Sequence, residues 1–301
     1  LLVALIPNFS HFVWSYLARS GLIARNGKGG LAATILGTTE LTNGKYDFTI
    51  ILIELVNQLV TESVTLETDF PDRMKKDILG RFTSHLLNVY ESYQYWKYTS
   101  FFQRFKIGSS LTSLFTNILY SVYGIDPTSP PTEKITKVLA GSANSIVSAF
   151  LASQSSDIRA VNSLLSVLTS LKSDETVTLT TEAFGNMYME LVTKTFELAN
   201  LIISVRALLK MPPSTLEKHI YAKSPDLVDV YVSYHHLRNQ VIKLLTYLVR
   251  APWSNELPSL LAHLGQTHSQ LLLDMIASDL ESPLCDHRLM KNLYSFFSSI
   301  M

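Results

Sequence analysis

Cys285, Asp286 and His287 set a thiol, a carboxylate and an imidazole side by side, the group types of a nucleophilic site. Neighbouring residues on a helix point about 100° apart, so the three cannot converge on one substrate. No partner for them is identifiable elsewhere in the chain. The histidines offer no metal-ligand spacing either. His235 and His236 are adjacent, and His263 and His268 are five apart rather than the four that would share a helical face. His85 lies on the apolar side of its helix and reads as a core histidine. Cys285 is the one cysteine, which excludes an intrachain disulfide framework and a cysteine-cluster zinc site.

Arg25-Asn26-Gly27-Lys28-Gly29-Gly30 suggests a phosphate loop. A P-loop needs four residues between its glycines and Ser or Thr after the Lys. Here five residues separate Gly21 from Gly27, and Gly29 follows Lys28. Gly27 to Ala32 also fits a loose dinucleotide pattern. That pattern needs a preceding strand, and Phe9, Phe12, Val13, Tyr16 and Leu17 read as a helix. A loop between helices is the better reading. Asn8-Phe9-Ser10 is a glycosylation sequon in form only, because the first residues lack a secretory pattern. The expected catalytic, cofactor-binding and metal residues are therefore none, no cofactor is implied, and the chain does not read as an enzyme.

The densest unusual feature lies between Tyr90 and Phe105. Tyr90, Tyr93, Tyr95, Trp96, Tyr98, Phe101, Phe102 and Phe105 are eight aromatics in sixteen residues, with Lys97, Arg104 and Lys106 among or beside them. Such interleaving can stack single-stranded nucleic acid. It can also fill a helix–helix corner, with Tyr93 and Trp96 continuing a core stripe, or form a protein-binding surface. Tyr95, Trp96, Phe101 and Phe102 are the candidate partner-binding residues.

The elements that would carry these residues are helical nearly everywhere. From Tyr46 to Ser63, Phe48, Ile51, Leu52, Leu55, Val56 and Leu59 follow a helical period, and Ile50, Ile53 and Val60 add a second apolar face. A helix covered on both sides is implied. Asp69-Phe70-Pro71-Asp72 starts the next helix, whose stripe Phe82, Leu86, Val89, Tyr93, Trp96 predicts continuation to about Tyr98. Leu111, Leu114, Phe115, Ile118 and Leu119 form a stripe ending at Gly124. Further helices are expected over 132–151, 157–171 and 184–209, with a short extended piece at Val177-Thr178-Leu179. Ser214-Thr215-Leu216-Glu217 has capping-box spacing. A helix opened by Ser224-Pro225-Asp226 is predicted to run through Leu248. Residues 260–280 and the stretch after Ser282-Pro283, with Leu289, Leu293, Phe296 and Phe297 inward, complete the reading.

The 301 residues carry 25 Lys+Arg and 25 Asp+Glu, so the formal net charge is zero. Charged residues are 17% and hydrophobic residues 47%, against roughly 25% charged in an average soluble protein. The apolar content excludes a disordered chain. The absence of a basic excess argues against direct nucleic-acid binding. The apolar runs, such as Ile50–Ile53 and Leu271–Leu273, are too short for a membrane span, so no membrane insertion is expected. The apolar ends read as the interior of a longer polypeptide.

About ten to twelve helices with short connections and no strict repeat predict an all-α fold. The architecture expected is an α-solenoid of irregular HEAT-like antiparallel helix pairs, with a closed globular helical domain as the alternative. The chain reads as a single solenoid segment over 1–301, with a sub-boundary possible at 124–132, where Asp126-Pro127-Thr128-Ser129-Pro130-Pro131 is the strongest breaker.

Three stretches carry a family resemblance. Phe12-Val13-Trp14-Ser15-Tyr16-Leu17-Ala18-Arg19-Ser20-Gly21-Leu22 is the first. Gly44-Lys45-Tyr46-Asp47-Phe48-Thr49 is the second. Tyr90 to Tyr98, leading to Gln103-Arg104-Phe105-Lys106-Ile107-Gly108, is the third. They resemble the large scaffold nucleoporins of the nuclear pore inner ring, and among them the nucleoporin 188 family in its fungal form. The likeness is clearest over 9–125. It implies a karyopherin-like solenoid at the nuclear envelope, a non-enzymatic scaffold of the nuclear pore complex. It further implies binding of linker nucleoporin peptides, contact with transport factors, and support of protein and mRNA transport. A soluble HEAT-type transport receptor or adaptor is the competing reading; it would share the fold and differ in cargo.

Overall fold

The computed structural model describes residues 1–24, 29–65, 70–124, 133–151, 158–172, 185–253, 257–282 and 286–300. Among these, every regular element is helical. The α-helices are α1 (Leu2–Arg19), α2 (Leu31–Ile35), α3 (Asp47–Thr65), α4 (Asp72–Ser92), α5 (Phe101–Tyr123), α6 (Glu133–Leu151) and α7 (Arg159–Leu168). After these come α8 (Gly185–Leu208), α9 (Thr215–Ala222), α10 (Ser224–Ser233), α11 (Arg238–Arg250), α12 (Leu260–Glu281) and α13 (His287–Ile300). A π-helical turn, Leu36–Glu40, and one further turn, Leu41–Asn43, extend α2.

Two rows of helices run through the molecule. In one, α1 packs on α3, α3 on α5, α5 on α8, α8 on α11 and α11 on α13. In the other, α4 packs on α6, α6 on α7, α7 on α9, α9 on α10 and α10 on α12. The rows touch through α1–α4, α5–α6, α7–α8 and α10–α11. Such step-by-step stacking is that of an α-solenoid, in which each unit buries its apolar face against its neighbours. One apolar cluster extends from Ile6 to Phe296. The expected all-α solenoid is what the chain forms.

Buried polar groups mark where helices are fixed relative to one another. Glu62 on α3 accepts from Trp14 Nε1 at 3.0 Å and from Ser10 Oγ at 2.5 Å, and pairs with Lys75 of α4 at 3.3 Å. The Lys75 ammonium also sits 5.3 Å from the centre of the Trp14 ring, which stacks on Phe70. Glu40 reaches from the π-turn to accept from Phe48 N and Thr49 N at 2.8 and 3.1 Å, capping α3 with a carboxylate. Ser214 and Glu217 form the expected capping box, and Glu217 also takes Arg206 at 2.7 Å in a fully buried pair.

Several expectations need correction. The helix from Pro71 stops at Ser92, after which Tyr93–Tyr95 form a 3₁₀ turn and Trp96 is extended. The helix from Ser224 is two helices separated at Tyr234 (φ −122°, ψ 88°) by the turn His235–Leu237. Ile51 is not a core residue but exposed, whereas Phe297 is half-buried and packs against the core as expected. One described helix, α3, is long and apolar enough to cross a membrane by length and composition, contrary to the reading from uninterrupted runs. Half of its most apolar stretch is buried against its neighbours, so here that composition supplies the core. Asp69, Arg25–Lys28, Val177–Leu179, Cys285 and the Asp126–Pro131 breaker lie outside the described residues.

Candidate functional site

The aromatic stretch turns the chain from α4 into α5, and the turn is built from backbone upward. Thr99 N and Thr99 Oγ1 both donate to Gly44 O at 2.9 Å, tying residues 96–100 to the loop before α3. Gly44 sits at φ 67°, where only glycine is unstrained, and an added Cβ would lie 3.0 Å from Lys97 O. Tyr46 donates its hydroxyl to Lys97 O at 2.9 Å, and its ring stacks on Trp96 with centroids 4.8 Å apart. Tyr98 donates to Tyr93 O at 2.7 Å, which satisfies a carbonyl freed where the helix ends.

Gln103 closes the corner: its Oε1 accepts from Tyr46 N at 3.1 Å, and its Nε2 donates to Asp47 Oδ1 at 2.7 Å. Further along α5, Gly108 lets Tyr93 and α8 approach. An added Cβ there would lie 2.7 Å from Tyr93 Oη and 2.9 Å from Leu191 Cδ1. Burial pushes the Tyr93 phenol up to about 12 and raises Tyr98 as well. These phenols are neutral donors near neutral pH, and the corner has no acid–base chemistry in them.

The four candidate residues divide. Trp96 is half-buried in the Tyr46–Tyr98 stack and is part of the corner's framework. Tyr95, Phe101 and Phe102 are 76%, 52% and 43% exposed, so they are available to a partner. Tyr90, Tyr93 and Phe105 are core. Phe102 borders an open groove of about 540 Å³ between the starts of α3 and α5, lined also by Lys45, Asp47, Ile50, Ile51, Gln103 and Lys106. Ile51, read from sequence as core, is 54% exposed here. The periodicity put Ile51 in the first stripe of α3 with Phe48 and Leu52, so nothing in the sequence set it apart from the core.

Among the described residues, the other chemistry-bearing side chains do not assemble. Asp286 accepts from Arg288 N at 3.1 Å at the start of α13. His263 stacks on Tyr221, and His268 approaches Asp229 at 3.7 Å. His85 is buried in α4, and burial lowers its pKa. No group of three or more potential metal ligands occurs among the described residues. The glycine-rich loop follows a helix, α1, not a strand.

The segments 44–49, 90–98 and 103–108, which carry much of the resemblance, are thus the ones that meet in this corner. The first stretch, 12–22, contributes Trp14 to the Glu62 node. The family model described as Nucleoporin Nup188, N-terminal subdomain III, matches residues 1–301. The chain belongs to the Nup188 family. Nucleoporin NUP188 of Saccharomyces cerevisiae is 38% identical over 301 residues, covering 99% of this chain and 18% of the relative. Nucleoporin nup184 of Schizosaccharomyces pombe is 30% identical over 309 residues, covering 99% of this chain and 20% of the relative. The chain therefore spans about a fifth of the length of these Nup188-family relatives. Membership places it among the components of the nuclear pore complex at the nuclear envelope.

Proposed function

We propose that the chain acts as a structural scaffold segment of the inner ring of the nuclear pore complex, in a non-enzymatic role. It holds other nucleoporins by docking segments of linker nucleoporins, and so supports nucleocytoplasmic transport. The observation that carries the reading is the open groove beside Phe102, next to the exposed rings of Tyr95 and Phe101, on a stacked helical body. A solenoid presents such grooves between successive helices, and an extended or helical peptide can dock there through apolar side chains. With a formal net charge of zero, shape and apolar contact supply most of the affinity. Tyr95, Phe101 and Phe102 are the contact residues in this reading, and Trp96 holds their framework. The test is isothermal titration of the folded chain with linker nucleoporin segments. Saturable binding that weakens on Phe101→Ala plus Phe102→Ala supports the reading. Absence of binding to every such segment overturns it.

A further inference from the structure

We propose that the groove between the starts of α3 and α5 takes a short acidic peptide segment bearing one bulky apolar side chain. The proposal rests on the docking role above and specifies the chemistry of the occupant. The floor is apolar: Ile50, Ile51 and Phe102 face the groove. Lys45 and Lys106 also line it, and among the described residues no carboxylate stands within ion-pairing distance of either ammonium.

The one acid in the lining, Asp47, already accepts from Gln103 Nε2 at 2.7 Å. Glu190 lies close enough for Lys106 to help lower its pKa, but that carboxylate is bound at 2.5 Å by Lys194. The first turn of α5 borders the groove without an acidic residue and without a side-chain cap from Ser100. Asp47 keeps its charge, so the lining sets two ammoniums against one carboxylate, a net positive rim around an apolar floor in a chain where charge is otherwise sparse and balanced.

Water-exposed cations beside an apolar floor favour a ligand whose carboxylates flank a buried side chain. The apolar group supplies affinity, and the carboxylates supply register and encounter rate. A basic peptide would meet two like charges at the same place. The volume, about 540 Å³, is in the range of sites that seat a few side chains rather than a folded domain.

The test is selection of random displayed peptides on the folded chain, followed by fluorescence anisotropy with the selected sequences. The expected result is enrichment of acidic sequences around an aromatic or aliphatic residue. Their affinity should fall about tenfold or more with Lys45→Glu plus Lys106→Glu, fall similarly with Ile51→Asp, and weaken as salt rises. All three positions are on the surface, and an unchanged helical circular dichroism spectrum and melting curve would show the fold intact.

Enrichment of basic or neutral sequences, no enrichment, or binding indifferent to both variants overturns the proposal. The two readings fail separately. Linker nucleoporin segments that bind equally to wild type and charge-reversed chain would sink the groove assignment and leave the scaffold role. Acidic peptides that bind the groove while no linker segment binds the chain would do the reverse.

Discussion

Two corners of the molecule interrupt an apolar stripe that continues in sequence, and they are closed by different means. Between α4 and α5 the chain turns on stacked aromatic rings and backbone bonds to Gly44. Between α10 and α11 it turns on charge. Arg238 donates to Tyr231 O at 3.0 Å and to Val232 O at 3.4 Å, carbonyls at the end of α10, and pairs with Asp279 of α12. Tyr231 donates to the same carboxylate at 2.6 Å. In the ionic corner Arg238, Asp279 and Tyr231 are spent on each other and on the backbone, and the side chains exposed at the turn, His235 and His236, are not bulky apolar ones. The aromatic corner leaves Tyr95, Phe101 and Phe102 facing water beside a groove. A corner closed by an internal ion pair fixes geometry, and a corner closed by ring stacking fixes geometry while leaving surface for a partner.

The largest expected effect breaks the ionic corner. Asp279→Ala leaves the largely covered Arg238 guanidinium and the buried Tyr231 hydroxyl without their carboxylate and should cost about 3 kcal/mol. Urea denaturation should register the loss, with amide exchange rising first in α10, α11 and α12. Trp96→Ala breaks the aromatic corner, but Trp96 is only half-buried, so the cost should be smaller, about 2 kcal/mol. Exchange should then rise near residues 44–47 and 93–101 and stay flat in α10 to α12. Equal spreading of both effects would show that the two corners are not independent.

A third effect is pH-dependent. Burial lowers the pKa of His85 in the fold below its ordinary 6.5. The unfolded chain therefore binds more protons in the interval between the two values, and stability falls as pH drops below about 6.5. His85→Gln should flatten that part of the stability–pH curve, measured by urea midpoints. The smallest effect sharpens the contrast. Phe102→Ala removes an exposed ring and should change stability by less than about 0.5 kcal/mol.

Both corners also show what sequence could and could not reveal. The stripe Phe82, Leu86, Val89, Tyr93 and the stripe Leu227, Val230, Tyr231 run on past each break, because the helices on either side face the same core. Periodicity alone therefore carries the first helix on to about Tyr98, past its end at Ser92, and at the second break predicts one helix where there are two. The breaks are set by distant partners: Gly44 for the first, fifty-five residues before Thr99, and Asp279 for the second, forty-one after Arg238. Local signals did succeed where the cause was local. Ser214 and Glu217 cap α9 as their spacing implied, and α8 ends before Pro212-Pro213. The candidate site was half legible. Clustering flagged Tyr95, Trp96, Phe101 and Phe102 together, but only packing separates the framework residue Trp96 from the three that face out. Lys45, Ile51 and Lys106 could not be joined to them by spacing, because the groove is formed by the meeting of two helices.

The central claim is that the aromatic corner is the docking surface of this scaffold segment. Isothermal titration of linker nucleoporin segments into wild type and into Ile51→Asp plus Phe102→Ala tests it most directly, with melting curves run on the same samples. The account predicts unchanged melting and affinity reduced about tenfold or more in the variant. Equal affinity with unchanged melting would contradict it.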